Sequence, residues 1–165
     1  DAQSLQQRKC FLCPEHLPPE QRGLRYGDYL ILCNPFPILD EHFTIPHLAH
    51  RPQAIRETFG DFLGLVRDLG SHYTVLYNGP RAGASAPDHL HFQAGTRGWM
   101  PIDTEYTAMR DRTGSLLTTQ GDTRVLAVSG YGRPLIAIEG THEASLQGQL
   151  VSFAASAKCK LQSGK

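Results

Sequence analysis

Hydrophobic positions in this 165-residue chain change their period several times, and each change marks an element. Residues 28–34 hold an apolar run, Tyr29-Leu30-Ile31-Leu32-Cys33, closed by Asn34-Pro35-Phe36-Pro37, which predicts a dense strand ended by a turn. Alternation over His42-Phe43-Thr44-Ile45-Pro46 predicts a second short strand, with His47 and His50 just beyond it. From Pro52 the period lengthens. Ile55, Phe59, Phe62, Val66 and Leu69 recur at three- to four-residue spacing, Pro52 suits a first helical position, and Gly70 supplies a stop. Ser71 to Tyr77 alternates again, with Tyr73, Val75 and Tyr77 on one face, and so does His89-Leu90-His91-Phe92-Gln93. Side chains at i, i+2 and i+4 of a strand share a face. His89, His91 and Gln93 are therefore expected on one side, with Leu90 and Phe92 in a core.

The second half is less regular. Trp99-Met100-Pro101-Ile102 reads as an edge strand or a packed loop, and Tyr106 to Arg112 as a short helix. Arg124 to Ser129 and Pro134 to Glu139 flank Gly130-Tyr131-Gly132-Arg133, a hairpin signature. Thr141 can cap a last helix with Glu143 in its first turn, and Leu146, Leu150, Phe153 and Ala157 give that helix an apolar stripe. Strands joined by short connections, without regular βαβ alternation, predict an α+β fold with an antiparallel sheet and helices packed on it. The length predicts one domain, 1–165, with a core over 10–95 and a C-terminal hairpin plus helix over 123–160.

Charge narrows the partner. Sixteen Lys and Arg against sixteen Asp and Glu leave no electrostatic footprint for nucleic acid or an anionic membrane, so a small-molecule ligand is expected. Lysine occurs only at Lys9, Lys158, Lys160 and Lys165, and the remaining positive charge is arginine, whose fork suits phosphate. No apolar run is long enough to span a bilayer and no signal peptide opens the chain, which points to a cytoplasmic protein. A start at Asp1 without an initiator methionine and a polar Leu-Gln-Ser-Gly-Lys end read as a piece of a longer chain. Residues 1 to 9 are polar and expected to be frayed or lightly helical.

Cys10-Phe-Leu-Cys13 has the spacing of a metal knuckle or a redox pair. A thioredoxin-like pair needs a helix to begin at its cysteines, and Pro14, Pro18 and Pro19 interrupt one, so metal binding is the better reading. Zinc takes four tetrahedral N or S ligands. Cys10 and Cys13 supply two; His89 and one of His42, His47 and His50 are the candidates for the rest, giving a closed structural site. Cys33, inside an apolar run, reads as a buried core thiol, and Cys159 stands apart.

The stretch from Asn78 to Gln93 carries the other chemistry. Arg81, Ser85 and the backbone N–H groups around Gly79, Gly83 and Ala84 can cradle phosphate oxygens, because glycine permits close approach and turn amides form anion nests. The loop lacks the Gly-Lys-Ser/Thr ending of a Walker loop and leads into a strand. It leads straight to histidine, and imidazole can attack phosphorus to form a covalent intermediate.

Asn78-Gly79, Gly83-Ala84-Ser85 and His89-Leu90-His91-Phe92-Gln93 resemble the active-site segment of the galactose-1-phosphate uridylyltransferase branch of the histidine triad superfamily. That branch includes dinucleoside polyphosphate phosphorylases and GDP-galactose phosphorylases, and the chain looks most like bacterial relatives of these enzymes. The Cys-x-x-Cys knuckle, the His42–Pro46 strand and the Pro52 helix look like the same superfamily's N-terminal half, so the resemblance covers about residues 10–95. It implies a histidine-triad-like fold in which His91 is the nucleophile that takes up a nucleoside monophosphate. Gln93 stands where hydrolases of the superfamily carry a third histidine, which implies transfer or phosphorolysis. It implies a structural zinc on Cys10, Cys13, His89 and His50, with His47 as the second choice for the last ligand. Asn78 and Ser85 would contact phosphates; Arg81 is added for its charge alone. The implied partners are a nucleotide or nucleotide-sugar and phosphate or a sugar phosphate, with a homodimer left open. Leu90 replaces the proline of uridylyltransferases, which weakens UDP-sugar chemistry. The alternatives are a nucleotide hydrolase of the same fold and an inactive zinc-stabilised nucleotide-binding module.

Overall fold

The computed structural model describes residues 9–163, with side chains up to 153. Residues 1–8, and the side chain of Ala157 in the last apolar stripe, lie outside that description. The chain forms two compact units, Asp1–Trp99 and Met100–Lys165, where its length leads one to expect a single domain.

The first unit holds a five-stranded antiparallel sheet in the order β1-β2-β3-β5-β4. Its strands are β1 (Gly23–Tyr26), β2 (Tyr29–Cys33), β3 (Phe43–Pro46), β4 (Tyr73–Leu76) and β5 (His91–Thr96). One helix, α1 (Phe59–Leu69), packs beside β4. Strand β1 leaves no mark in the sequence, because its four residues are mostly exposed and show no alternation. It pairs with β2 through a two-residue turn in which Gly27 takes φ +54°.

The core follows parity. Leu90, Phe92 and Ala94 alternate onto the face that meets Ile45, Val75 and Tyr29, and Leu65 of α1 closes over them. Phe92, Ile45 and Leu65 have no exposed surface, and each such burial contributes roughly 2–3 kcal/mol. Tyr26 and Tyr29 donate their hydroxyls to Asp68 and Asp61 of α1, fixing the helix against the sheet. Gly95 lies on the opposite face from Phe92. A Cβ there would come within 2.5 Å of Leu39, so glycine lets the 34–42 connection lie against β5.

The helix expected from Pro52 begins only at Phe59. Residues 51–53 are committed elsewhere: the Arg51 carbonyl accepts from Leu90 N–H, and the Gln53 carbonyl from the Tyr77 hydroxyl. Those long-range bonds hold the segment out of a helical path. Ile55 still reaches the core from the irregular segment, while Val66, expected in the apolar stripe, is exposed. Cys33, expected in the core, is exposed: it ends β2, past the buried Tyr29 and Leu32.

The second unit is a three-stranded antiparallel meander, β6 (Gly114–Gln120), β7 (Thr123–Val128) and β8 (Leu135–Glu139), with α2 (Pro101–Thr113) and α3 (Glu143–Ser163). The hairpin over β7 and β8 is the one its sequence signature predicts. Pro101 opens α2 instead of joining an edge strand or loop, and the short helix expected at Tyr106 to Arg112 is part of that longer one. Strand β6 went unread because all seven of its residues are exposed, which removes the alternation that reveals a strand. Thr141 donates its hydroxyl and N–H to Asp122 rather than capping α3.

Tyr106, Arg110 and Arg124 converge on Glu139 at 2.6, 3.0 and 2.7 Å. The Tyr106 hydroxyl, then Arg110 and Arg124, hold the Glu139 carboxyl below its usual range. A depressed folded-state pKa contributes stability that is complete above the ordinary carboxylate value and lost as pH falls through the folded one. The melting temperature should therefore fall as pH drops below about 4.5, and Glu139→Gln should flatten that fall. Equal acid slopes in the two proteins would remove Glu139 from the account.

Candidate functional site

Two neighbouring features occupy the first unit: a Cys/His cluster at the knuckle and a cavity beside it.

Cys13 N–H bonds back to the Cys10 carbonyl at 3.3 Å, and a single 3₁₀ turn, Pro14–His16, comes next. This puts both thiols on the inside of one tight turn. Cys10, Cys13, His50 and His89 bring their ligand atoms within 4.8 Å of one another. Cys10 Sγ lies 3.2 Å and Cys13 Sγ 3.6 Å from His89 Nδ1, and Cys13 Sγ lies 3.3 Å from His50 Nδ1. His89 is fully buried, and its Nε2–H donates to the His47 carbonyl at 2.8 Å, leaving the Nδ1 lone pair for the thiols. A backbone carbonyl on the distal nitrogen is the usual way a metal-bound imidazole is oriented. Burial and the adjacent Cys10 push the Cys13 thiol up to about 11, and burial pushes His89 down. The group is chemically able to hold a metal.

The three crowded histidines divide as expected. His50 joins the cluster. His47 does not: its N–H holds the Leu90 carbonyl, its own carbonyl holds His89, and its Nδ1 accepts from Ala49 N–H. His42 lies elsewhere again. Its Nδ1 accepts from Ile38 N–H at 3.3 Å, so the proton sits on Nε2 and is donated to Gln93 Oε1 at 2.8 Å. That bond settles the Gln93 amide orientation and leaves its –NH2 without a partner among the described residues. From the sequence, His42 is a candidate only for the metal. Its place directly before β3, two residues from Thr44 and therefore on Thr44's face, was the available signal.

The cavity measures about 640 Å³. Leu32, Thr44 and Gln93 lie side by side across β2, β3 and β5 and form its floor, extended by Asn34 and His42. One wall comes from the knuckle and the chain just past its 3₁₀ turn: Phe11, Leu12, Leu17 and Pro18. Phe36 and Ile38 form another, held by Phe36 N–H on Asn34 Oδ1 and Ile38 N–H on His42. Asn78, Gly83 and Ser85 complete the rim, and Cys33 also lines it. Gly83 takes φ +87°, a conformation glycine alone adopts easily. Gly79 and Arg81 lie outside the lining, and Arg81 is exposed.

Strand β5 starts at His91, so His89 stands before it instead of within it. His91 and Gln93 share the face away from Phe92. His91 is 2% exposed and lies beside the cavity without lining it. Its Nδ1–H donates to the His89 carbonyl at 2.8 Å, which leaves Nε2 unprotonated and, among the described residues, unbonded. Burial pushes the imidazole below its usual pKa. The metal-capable cluster and His91 are thus joined through one residue, since the His89 ring serves the cluster and its carbonyl orients His91.

Fold and site together define an α+β protein with a Cys2His2 group, buried except for the exposed His50, next to a largely apolar cavity. Residues 1–96 match the family model described as Domain of unknown function (DUF4922), and the chain belongs to that family. The matched stretch carries the whole cluster and cavity. Neither the curated proteins nor the solved structures offer a match. No helix among the described residues is long and apolar enough to cross a membrane.

Proposed function

We propose that this protein transfers a nucleoside monophosphate group through a covalent intermediate on His91. The substrate is a nucleotide-sugar or dinucleoside polyphosphate, and the acceptor is phosphate or a sugar phosphate. The observation that carries this reading is the tautomer of His91: the His89 carbonyl takes the Nδ1 proton and leaves a neutral Nε2 on the strand face that Gln93 extends into the cavity. Nε2 attacks the α-phosphorus, a P–N bond forms, and the P–O bond to the leaving phosphate or sugar phosphate breaks. The acceptor oxygen then attacks the same phosphorus, the P–N bond breaks, and the imidazole returns neutral. The Gln93 –NH2, Ser85 and the amides around Gly83 supply donors for the phosphate oxygens, where developing charge is worth most to stabilise. Phe11, Leu12, Phe36 and Ile38 offer apolar surface to a base, and 640 Å³ suits a ligand of nucleotide size. The resemblance of residues 78–93 to the histidine triad transferases supports the same reading.

For the cluster we propose zinc. Tetrahedral zinc with N and S ligands at about 2.0 and 2.3 Å separates those ligands by roughly 3.6 Å, close to the 3.2–3.6 Å between the thiols and imidazoles here. The ion would be held by Cys10, Cys13, His50 and His89 and would supply a structural staple.

The test uses α-labelled nucleoside triphosphates, labelled UDP-glucose and GDP-glucose, and labelled diadenosine tetraphosphate. The expected result is an acid-labile, base-stable label on His91 that inorganic phosphate or a sugar phosphate discharges. No label from any donor would sink the proposal, and discharge by water alone at the same rate would make it a hydrolase.

A further inference from the structure

Strands β4 and β5 part company at the place where the reaction would occur. Their register runs from Tyr73 opposite Thr96 to Leu76 opposite Gln93, and its continuation would set Asn78 opposite His91. That pair does not form. The side-chain amide of Gln53 stands between the two: its Nε2 donates to the Asn78 carbonyl at 2.8 Å and the His91 carbonyl at 3.0 Å, while its Oε1 accepts from His91 N–H at 2.8 Å. One side chain thus takes the place of a strand neighbour for His91, using both of its own polar atoms. Gln53 is 2% exposed, and its carbonyl is held by the Tyr77 hydroxyl at 3.0 Å. The next residue back along the chain, Leu90, gives its N–H to the Arg51 carbonyl at 2.7 Å.

We propose that Gln53 is a positioning residue: a wedge in the β4–β5 fork that sets the spacing between His91 and the loop leaving Asn78. This rests on the nucleotidyl-transfer reading of His91. Without the wedge the direct Asn78–His91 pairing becomes available, and zipping the fork by two residue pairs would draw the loop toward β5 and close the space a phosphate needs. A buried glutamine is otherwise a costly choice, since each unmet polar atom would destabilise the fold. Its three bonds go to the main chain of the two residues whose separation matters. Misplacement by about 1 Å in a near-attack geometry costs roughly 100-fold in rate.

The experiment compares wild type with Gln53→Met, which keeps length and loses all three bonds, and Gln53→Glu, which keeps the acceptor and loses the donors. Labelling of His91 by α-labelled nucleoside triphosphates and diadenosine tetraphosphate should slow about 100-fold in Gln53→Met. Affinity for adenosine, guanosine and uridine, which carry no phosphate, should stay within about threefold and metal content should not change, because the cluster and the apolar walls do not depend on Gln53. Backbone hydrogen exchange at His91 should be as slow as at Phe92 in wild type, where Gln53 Oε1 holds its N–H. Labelling at the wild-type rate in the variants overturns the wedge. So does a loss of rate, nucleoside affinity and metal in one proportion, which marks general unfolding, and so does fast exchange at His91 in wild type, which needs no variant to fold. Absence of label in wild type itself overturns the nucleotidyl-transfer reading first and the wedge's catalytic role with it.

Discussion

His91→Asn is expected to abolish the covalent label and lower turnover by about 10,000-fold or more, the scale seen when an enzyme loses its nucleophile. Asparagine is the informative replacement because its amide can still donate to the His89 carbonyl, the bond that His91 makes at 2.8 Å. The strand and the cluster behind it should therefore keep their places, and nucleotide affinity should change by less than about fivefold, since the apolar walls and Gln93 remain. Single-turnover labelling and calorimetry with the same nucleotides measure the two effects. A protein that binds nucleotide equally well with histidine or asparagine and turns over with neither is a binding module. One that turns over with both uses another nucleophile, and the assignment of His91 falls.

Cys10→Ala should cost the protein its metal and most of the stability of its first unit. A structural zinc of this donor set contributes on the order of 10–16 kcal/mol to folding, as much as the roughly 5–15 kcal/mol by which whole domains are stable. The buried apolar residues packed with the two cysteines are Leu12 and Ala86 alone. So small a hydrophobic group cannot replace the metal. Elemental analysis should give one ion per chain in wild type and in His47→Ala, and essentially none in Cys10→Ala, with a melting temperature lowered by more than about 10 °C. Stoichiometric metal retained by Cys10→Ala would refute the ligand set. The cavity should suffer too, because Phe11 and Leu12, between the two cysteines, form part of its wall.

The knuckle was readable because its determinants are local: two thiols three residues apart, succeeded by prolines that forbid a helix. The third and fourth members of the cluster were not. Among His42, His47 and His50, spacing leaves all three open, and resemblance alone favours His50. The structure separates them by hydrogen bonding, with His42 on Gln93, the carbonyl of His47 on His89, and His50 on Cys13. Alternation places His42 on Thr44's face, but its partner Gln93 lies 51 residues away and no local pattern names it. Arg81 shows the opposite failure. Charge and glycine neighbours made it attractive, yet the cavity is lined by residues to either side of it, Asn78, Gly83 and Ser85.

Periodicity located the strands that bury one face, β2 to β5, and the hairpin of β7 and β8, because a buried face imposes alternation or a continuous apolar run. It missed β1 and β6, whose residues are mostly or wholly exposed, since nothing selects a pattern there. The start of α1 was misplaced for a different reason. Pro52 is a good first helical residue, but the chain at 51–53 is worth more as a partner for Leu90, His91 and Asn78 than as a helical turn. Local chemistry thus announces which residues can bind a metal, cradle an anion or attack phosphorus. Which of them meet is decided by long-range hydrogen bonds to buried main chain, because a buried polar atom must find a partner wherever the fold provides one.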